Sequence, residues 1–294
     1  MGDLGVFDPD LYANGDPRCG GLPLELFAEL RDERPCYWQP LEAEPMFVDG
    51  VWVVSRYADV VAVICDTPRF SNQAGISVRR FDPTRAECGG KPTMMSMDGI
   101  QHRNNRTVTH RLFSRRAVNA FAERFRTIAA MLVERALDRE RVDFIGDIAC
   151  YMPLHAVSEL LGIPAEDREQ VLAWTNLITV PLDPHFTPSH AQFQQALDGL
   201  WRYGLQLSGL RATEPDESIM SAIARGHASG VLSDDEVSGY MLALAAAGNE
   251  TTRNAIAIGL HALLLRPEQM ALLRAQGSMP ESAVEEILDR KSVV

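Results

Sequence analysis

The segment Ala245-Ala246-Ala247-Gly248-Asn249-Glu250-Thr251-Thr252-Arg253-Asn254 sets a glycine, a carboxylate and adjacent hydroxyls inside a long apolar run. A helix interior disfavours that choice, since Gly costs about 1 kcal/mol against Ala and branched Thr loses rotamer freedom. Two explanations are open. Gly248 lets another helix pack closely with a polar face following it, or it lets a flat cofactor approach the backbone. In the second case Glu250 and Thr251 place an acid beside a hydroxyl, the pairing that supplies protons to a bound acceptor. A second group, His102 and Arg106, stands four residues apart. On one helix face two such donors can grip a single carboxylate, or simply meet water. No His-Glu-x-x-His pattern joins His102 to His110, so zinc chemistry is not indicated.

These residues must be held by long elements, and the sequence predicts them. Ser233 with Glu236 three residues later is a capping box that opens a helix. Apolar residues then continue to Leu265, and Pro267 closes the pattern. At about 1.5 Å per residue the rod exceeds roughly 40 Å. Leu244, Gly248 and Thr251 recur at i, i+4 and i+7, so they lie on one stripe. Residues 22–33 read as an amphipathic helix with Leu24, Leu26, Phe27 and Leu30 on its buried face. Residues 46–48 and 51–54 read as a hairpin around Asp49-Gly50, a dipeptide suited to a tight turn. Residues 57–64 return to helical spacing, and 71–96 read as a long irregular loop. Five more helices are expected over 117–137, 148–161, 164–179, 191–210 and 217–225, with a proline-broken connection at 180–188. The fold class is therefore mainly α. No repeat or linker divides the chain, so residues 1–294 read as a single domain.

Composition narrows the function classes. A formal net charge of −12 disfavours general nucleic-acid binding, and the local cluster Arg103, Arg106, Arg111, Arg115 and Arg116 reads either as a docking patch for an acidic protein partner or, preferred here, as a solvated face with a carboxylate contact. No apolar run is long enough to span a membrane and the N-terminus does not resemble a signal peptide, which predicts a cytoplasmic protein. The five cysteines, Cys19, Cys36, Cys65, Cys88 and Cys150, are odd in number and lack metal-ligand spacing, so they read as free thiols.

The string Ala-Gly-Asn-Glu-Thr-Thr-Arg-Asn-Ala-Ile beginning at Ala247 resembles the oxygen-activating signature of the cytochromes P-450, especially bacterial members that oxidise sterols and branched lipids. His102 and Arg106 match the family's propionate-binding His-x-x-x-Arg, and residues 111–118 look like the segment that follows it. Residues 280–288 resemble the start of the helix bearing the family's Glu-x-x-Arg. Here the register differs, because Asp289 stands three residues after Glu286 and Arg290 stands four after it.

The resemblance implies a cytochrome P-450 fold with a long central helix and a small β-hairpin near the N-terminus. It implies haem b as cofactor and O2-dependent monooxygenation of a hydrophobic small molecule, a sterol or branched lipid. Electrons would come from a ferredoxin and ferredoxin reductase type of donor. By the same resemblance Thr251 donates a hydrogen bond to iron-bound oxygen and Glu250 relays protons. Gly248 admits the oxygen into the helix groove, with Ala247 and Leu244 beside the cofactor. His102 and Arg106 neutralise a propionate, and Glu286 with Arg290 forms a structural ion pair. Residues 71–96 and 180–188 would cover the substrate. Asn249 and Asn254 take no role.

The family holds its iron with a thiolate in a Phe-x-x-Gly-x-x-x-Cys loop well past the central helix, a ligand that favours O–O cleavage. No cysteine follows Cys150. The expectation is a chain truncated before that loop, with no metal ligand assigned and with haem retention and activity in doubt. The rival reading is a catalytically inactive remnant or helical interaction protein.

Overall fold

The computed structural model describes residues 23–41, 49–75, 93–179 and 189–291. The chain divides into two compact units, one of Met1–Ser71, Ser77–Arg80 and Asn254–Val294, the other of Asn72–Ile76 and Phe81–Arg253.

In the first unit, Leu24–Glu33 forms helix α1. Leu30 is buried with Leu26 and Phe27 packed beside it, whereas Leu24 lies at the first position of the helix and faces solvent. The hairpin differs from its expectation. Strand β1 (Cys36–Pro40) pairs antiparallel with β2 (Gly50–Val54), Cys36 opposite Val54 and Pro40 opposite Gly50. Gly50 is thus a ladder residue and no two-residue turn forms at Asp49-Gly50, while 46–48 fall outside the described residues. The glycine serves the ladder instead: a Cβ on Gly50 would stand 2.5 Å from Trp38 Cζ2. The alternation of Cys-Tyr-Trp-Gln-Pro was the available signal. It buries Tyr37 and Gln39 on one side and turns Trp38 onto Trp52, ring centroids 5.3 Å apart, on the other. Helix α2 (Tyr57–Cys65) follows and buries none of its residues.

The second unit begins its regular structure at α3 (Gly99–Thr109), preceded by a 3-10 turn that Thr93 and Ser96 cap reciprocally. The helix expected over 117–137 is two helices, α4 (Arg115–Ala120) and α5 (Ala122–Leu137). Between them the Phe121 N–H closes on Val118 O, a tightened turn that interrupts the ladder. A π-type turn at Ile145–Ala149, with Cys150 N–H reaching Ile145 O, leads into α6 (Tyr151–Leu161). Helices α7 (Arg168–Thr179), α8 (His190–Thr213) and α9 (Ile219–Ala228) complete the packing partners of the central helix, with Ser189 and Ser218 as N-caps of the last two.

The central helix α10 (Asp234–Leu264) is the longest element. Its capping box is present: Ser233 N–H donates to Glu236 Oε2 at 2.9 Å, and Glu236 N–H donates to Ser233 Oγ at 3.3 Å. Around it the core gathers Leu161 from α6, Val171 from α7, Leu197, Leu200 and Leu207 from α8, and Ile223 from α9 against Tyr240 and Met241. Side chains of this size contribute about 1.5–3 kcal/mol each when fully buried. Pro267 does more than end α10, since it is the first residue of α11 (Pro267–Gln276), and α12 (Glu281–Lys291) follows. The division between the two units falls inside α10, after Arg253.

Candidate functional site

Helix α10 separates its faces around the Gly-Asn-Glu-Thr segment. Met241, Ala245 and Asn249 are buried, Leu244 and Gly248 are half-buried, and Ala247 and Thr251 are exposed. Ala247 and Thr251 are one turn apart, and the Thr251 hydroxyl donates to the Ala247 carbonyl at 2.6 Å. That local bond holds the side chain along the helix and leaves the oxygen's lone pairs on the accessible side.

Glu250 lies about 100° around the axis from Thr251, so the two side chains do not face one another. A proton passing between them needs a bridging water. Burial pushes the Glu250 carboxyl above its ordinary value, and the Arg253 guanidinium, 3.6 Å from Oε1, draws it only part of the way back. Arg253 also donates from Nη1 to Asn176 Oδ1 on α7 at 3.3 Å. The acid is therefore held beside α7 with a proton affinity higher than that of a solvated glutamate.

Gly248 has a named neighbour. A Cβ there would fall 2.6 Å from Val157 Cγ2, so close packing of α6 on α10 accounts for the glycine. Asn249, which takes no role by the resemblance, is 5% exposed and donates from Nδ2 to Thr175 Oγ1 at 3.2 Å. Its Oδ1 has no hydrogen-bond partner among the described residues. The signal was its place on the buried stripe of Ser238, Met241 and Ala245, spaced i, i+3 and i+7, with Asn249 at i+11. Together Asn249 and Arg253 fasten α7 to the acid-bearing turn.

Helix α3 presents His102, Asn105 and Thr109 on one stripe, with His102 half-buried and the other two buried. Arg106 is exposed, and among the described residues neither His102 nor Arg106 has an ion-pair partner. Both retain unused donors. The five arginines from Arg103 to Arg116 are all exposed, as expected of a solvated face. Glu286 is exposed on α12, and the side chain of Arg290 lies outside the described residues.

The described cysteines are free: Cys36 in β1, Cys65 in α2 and Cys150 just ahead of α6. None lies on α3 or α10, and no cluster of metal-ligating side chains occurs among the described residues. Cys19, Cys88, the segment 180–188 and most of 71–96 fall outside them. No single described helix is long and apolar enough to cross a membrane.

Against known proteins, no family model matches the chain. It is 33% identical over 276 residues to a steroid C26-monooxygenase of Mycolicibacterium smegmatis, an alignment that takes in 91% of this chain and 63% of that protein. It is 32% identical over 290 residues to the cytochrome P450 monooxygenase PikC of Streptomyces venezuelae, covering 97% of this chain and 65% of the relative. The chain thus spans under two thirds of the length of these curated relatives. Among solved structures, a Mycobacterium marinum cytochrome P450 in complex with pseudoionone superposes with a TM-score of 0.78 at 27% identity, over 94% of this chain and 68% of that one.

Proposed function

This chain belongs to the bacterial cytochrome P450 family, and on that premise we propose that it carries the oxygen-handling and proton-supplying part of a monooxygenase that hydroxylates a hydrophobic small molecule. A steroid or branched-lipid chain is the substrate class, supported by the steroid C26-monooxygenase relative and by the Ala-Gly-Asn-Glu-Thr-Thr-Arg-Asn string. The observation that carries the reading is the Glu250 carboxyl of raised proton affinity, one residue from the Thr251 hydroxyl on the accessible stripe.

The residues present fit a flat, carboxylate-bearing ring on two counts. Ala247 and Thr251, one turn apart and both exposed, present two small side chains on one stripe of α10, with half-buried Leu244 as its apolar edge. His102 and Arg106 retain donors for a carboxylate. We assign no iron ligand. Haem, when bound, supplies activation of O2. The chain's own work is then to hold a proton at Glu250 Oε, keep Arg253 near it, and offer Thr251 Oγ1 as a group that accepts and donates through rotation of one bond. Because that hydroxyl gives its hydrogen to Ala247 O, it must turn away from the helix to donate outward. A ferredoxin type of electron donor and a cytoplasmic location complete the reading.

The test is a chimaera that joins residues 1–294 to the part of the M. smegmatis relative outside the alignment. Thr251→Ala in that chimaera should divert electrons to peroxide and lower product formed per electron consumed. Unchanged coupling would remove Thr251 from the proposal. Absence of any hydroxylated steroid or branched lipid in the parent chimaera would remove the substrate class.

A further inference from the structure

Asn105 sits between His102 and Arg106 in sequence, is 3% exposed, and is gripped at its side chain and its backbone by one turn of the central helix. Its Nδ2 donates to Glu236 Oε1 at 2.7 Å, and its backbone carbonyl accepts from the Tyr240 hydroxyl. Glu236 and Tyr240 are four residues apart on α10, so both project toward the same place on α3. Tyr240 is 1% exposed, and the hydroxyl of so buried a ring needs the partner it has found. The other oxygen of Glu236 is committed to the capping box through Ser233 N–H.

Burial alone would raise the Glu236 carboxyl. The bonds from Ser233 N–H and the Asn105 amide, then from Ser233 Oγ and Gln101, outweigh it and hold the group below its ordinary value. A helix cap that merely needed an acceptor has no use for the second oxygen. Here that oxygen reaches across 131 residues of sequence to a buried amide.

We propose that Glu236 is a positioning residue: with Tyr240 it clamps Asn105 and so fixes the axial slip and rotation of α3, and with them the stance of His102 and Arg106, relative to the Ala247 and Thr251 stripe. The geometry makes the clamp selective. A slip of one residue along α3 moves both donors by about 1.5 Å and turns them by about 100°. Two attachments, one to the Asn105 side chain and one to its backbone carbonyl, oppose both motions, where a single hydrogen bond would act as a pivot. The functional side of this inference rests on reading His102 and Arg106 as the carboxylate grip, whereas the clamp itself does not.

A reciprocal swap in the full chain tests it. Asn105→Asp sets two carboxylates face to face, and adding Glu236→Gln restores one hydrogen bond with donor and acceptor exchanged. Gln at that position also preserves the capping box. Amide hydrogen exchange should accelerate across Gly99–Thr109 by about tenfold or more in Asn105→Asp, the scale of one lost hydrogen bond to a charged group, and return toward the parent rate in the double variant. The His102 ring proton signals should shift in the single variant and return in the double one. Failure of the second change to rescue α3, or acceleration confined to the first turn of α10, would overturn the clamp and leave Glu236 a cap. Metal-free protoporphyrin IX, which carries two propionates, is the separate probe of the grip. If it leaves the His102 and Arg106 signals of the parent chain unmoved while the swap behaves as stated, the grip fails and the clamp stands.

Discussion

At the scale of single residues, the central helix carries a carboxyl that sits beside an arginine and is still harder to ionise than usual. Burial is the larger influence on Glu250 and Arg253 the smaller. Arg253→Met should therefore raise the carboxyl further, observable by carbon-13 NMR of labelled glutamate through an acid titration. A fall would show that desolvation does not dominate. The sign for stability follows from the same fact. A carboxyl whose folded value is raised favours the folded state while protonated, and stability is lost as pH rises from the ordinary value near 4.5 toward the folded one. Glu250→Gln should remove that loss, so urea midpoints of variant and parent should diverge over this window and run parallel above it. Gly248 makes a second residue-scale prediction. Adding a methyl gains about 1 kcal/mol of helix propensity but places a Cβ 2.6 Å from Val157 Cγ2. Overpacking of this kind costs about 1–3 kcal/mol, so Gly248→Ala should destabilise by urea denaturation. Adding Val157→Ala should make the same methyl tolerable, giving a double variant more stable than the two single changes predict by addition.

At the scale of elements, helices α8 and α10 approach where α8 has no side chain, at Gly204. A Cβ on Gly204 would lie 2.8 Å from Met241 Cβ and 3.1 Å from the backbone Cα of Ser238, whereas a Cβ on Gly209, five residues further along α8, would meet nothing within 4 Å. The two glycines look alike in sequence. Gly209→Ala should be neutral or stabilising by up to about 1 kcal/mol, and Gly204→Ala should destabilise by about 1–3 kcal/mol because backbone has to move. Equal effects in thermal melts would contradict the stated approach of the two helices. The seam between α7 and α10 differs in kind, being polar: Asn249 to Thr175 and Arg253 to Asn176. Its partners could not be read from the chain, because 74 and 77 residues separate each pair and nothing local marks Thr175 or Asn176 as special.

At the scale of the whole molecule, the two compact units differ in how much they bury. The second holds the large cluster built on Leu197, Leu200, Met220, Ile223 and Met241, each at 0% exposure. In the first, Trp52, Tyr57, Ile64, Leu264, Leu272 and Met279 are all exposed. Opening free energy follows buried apolar contact, so amides of α11 and α12 should exchange much faster than those of α8 and α9. Similar protection in both would mean that the first unit has an apolar core its described residues do not reveal. Acid should also act unevenly. Hydrogen bonds hold Glu236 and Asp216 below their ordinary values in spite of burial, so the stability they add is complete above those values and is lost as pH falls through the folded ones.

The sequence by itself determined what is periodic or adjacent. It predicted the long central helix, its opening by Ser233 and Glu236, the predominance of α structure, and the family signature, because 3.6-residue spacing, reciprocal caps and contiguous motifs are properties of neighbours along the chain. It misplaced the hairpin, since Gly50 pairs with Pro40 in the ladder and lies under the Trp38 ring instead of turning the chain with Asp49. It split the purpose of Gly248 between two explanations, and only the position of Val157 on α6 supplied the neighbour that a side chain there would strike. It passed over Asn249 and Asn105, polar residues whose roles exist only where two helices meet. Proton affinity at Glu250 was beyond it for the same reason: burial is set by everything packed around the carboxyl, and that is decided by tertiary structure alone.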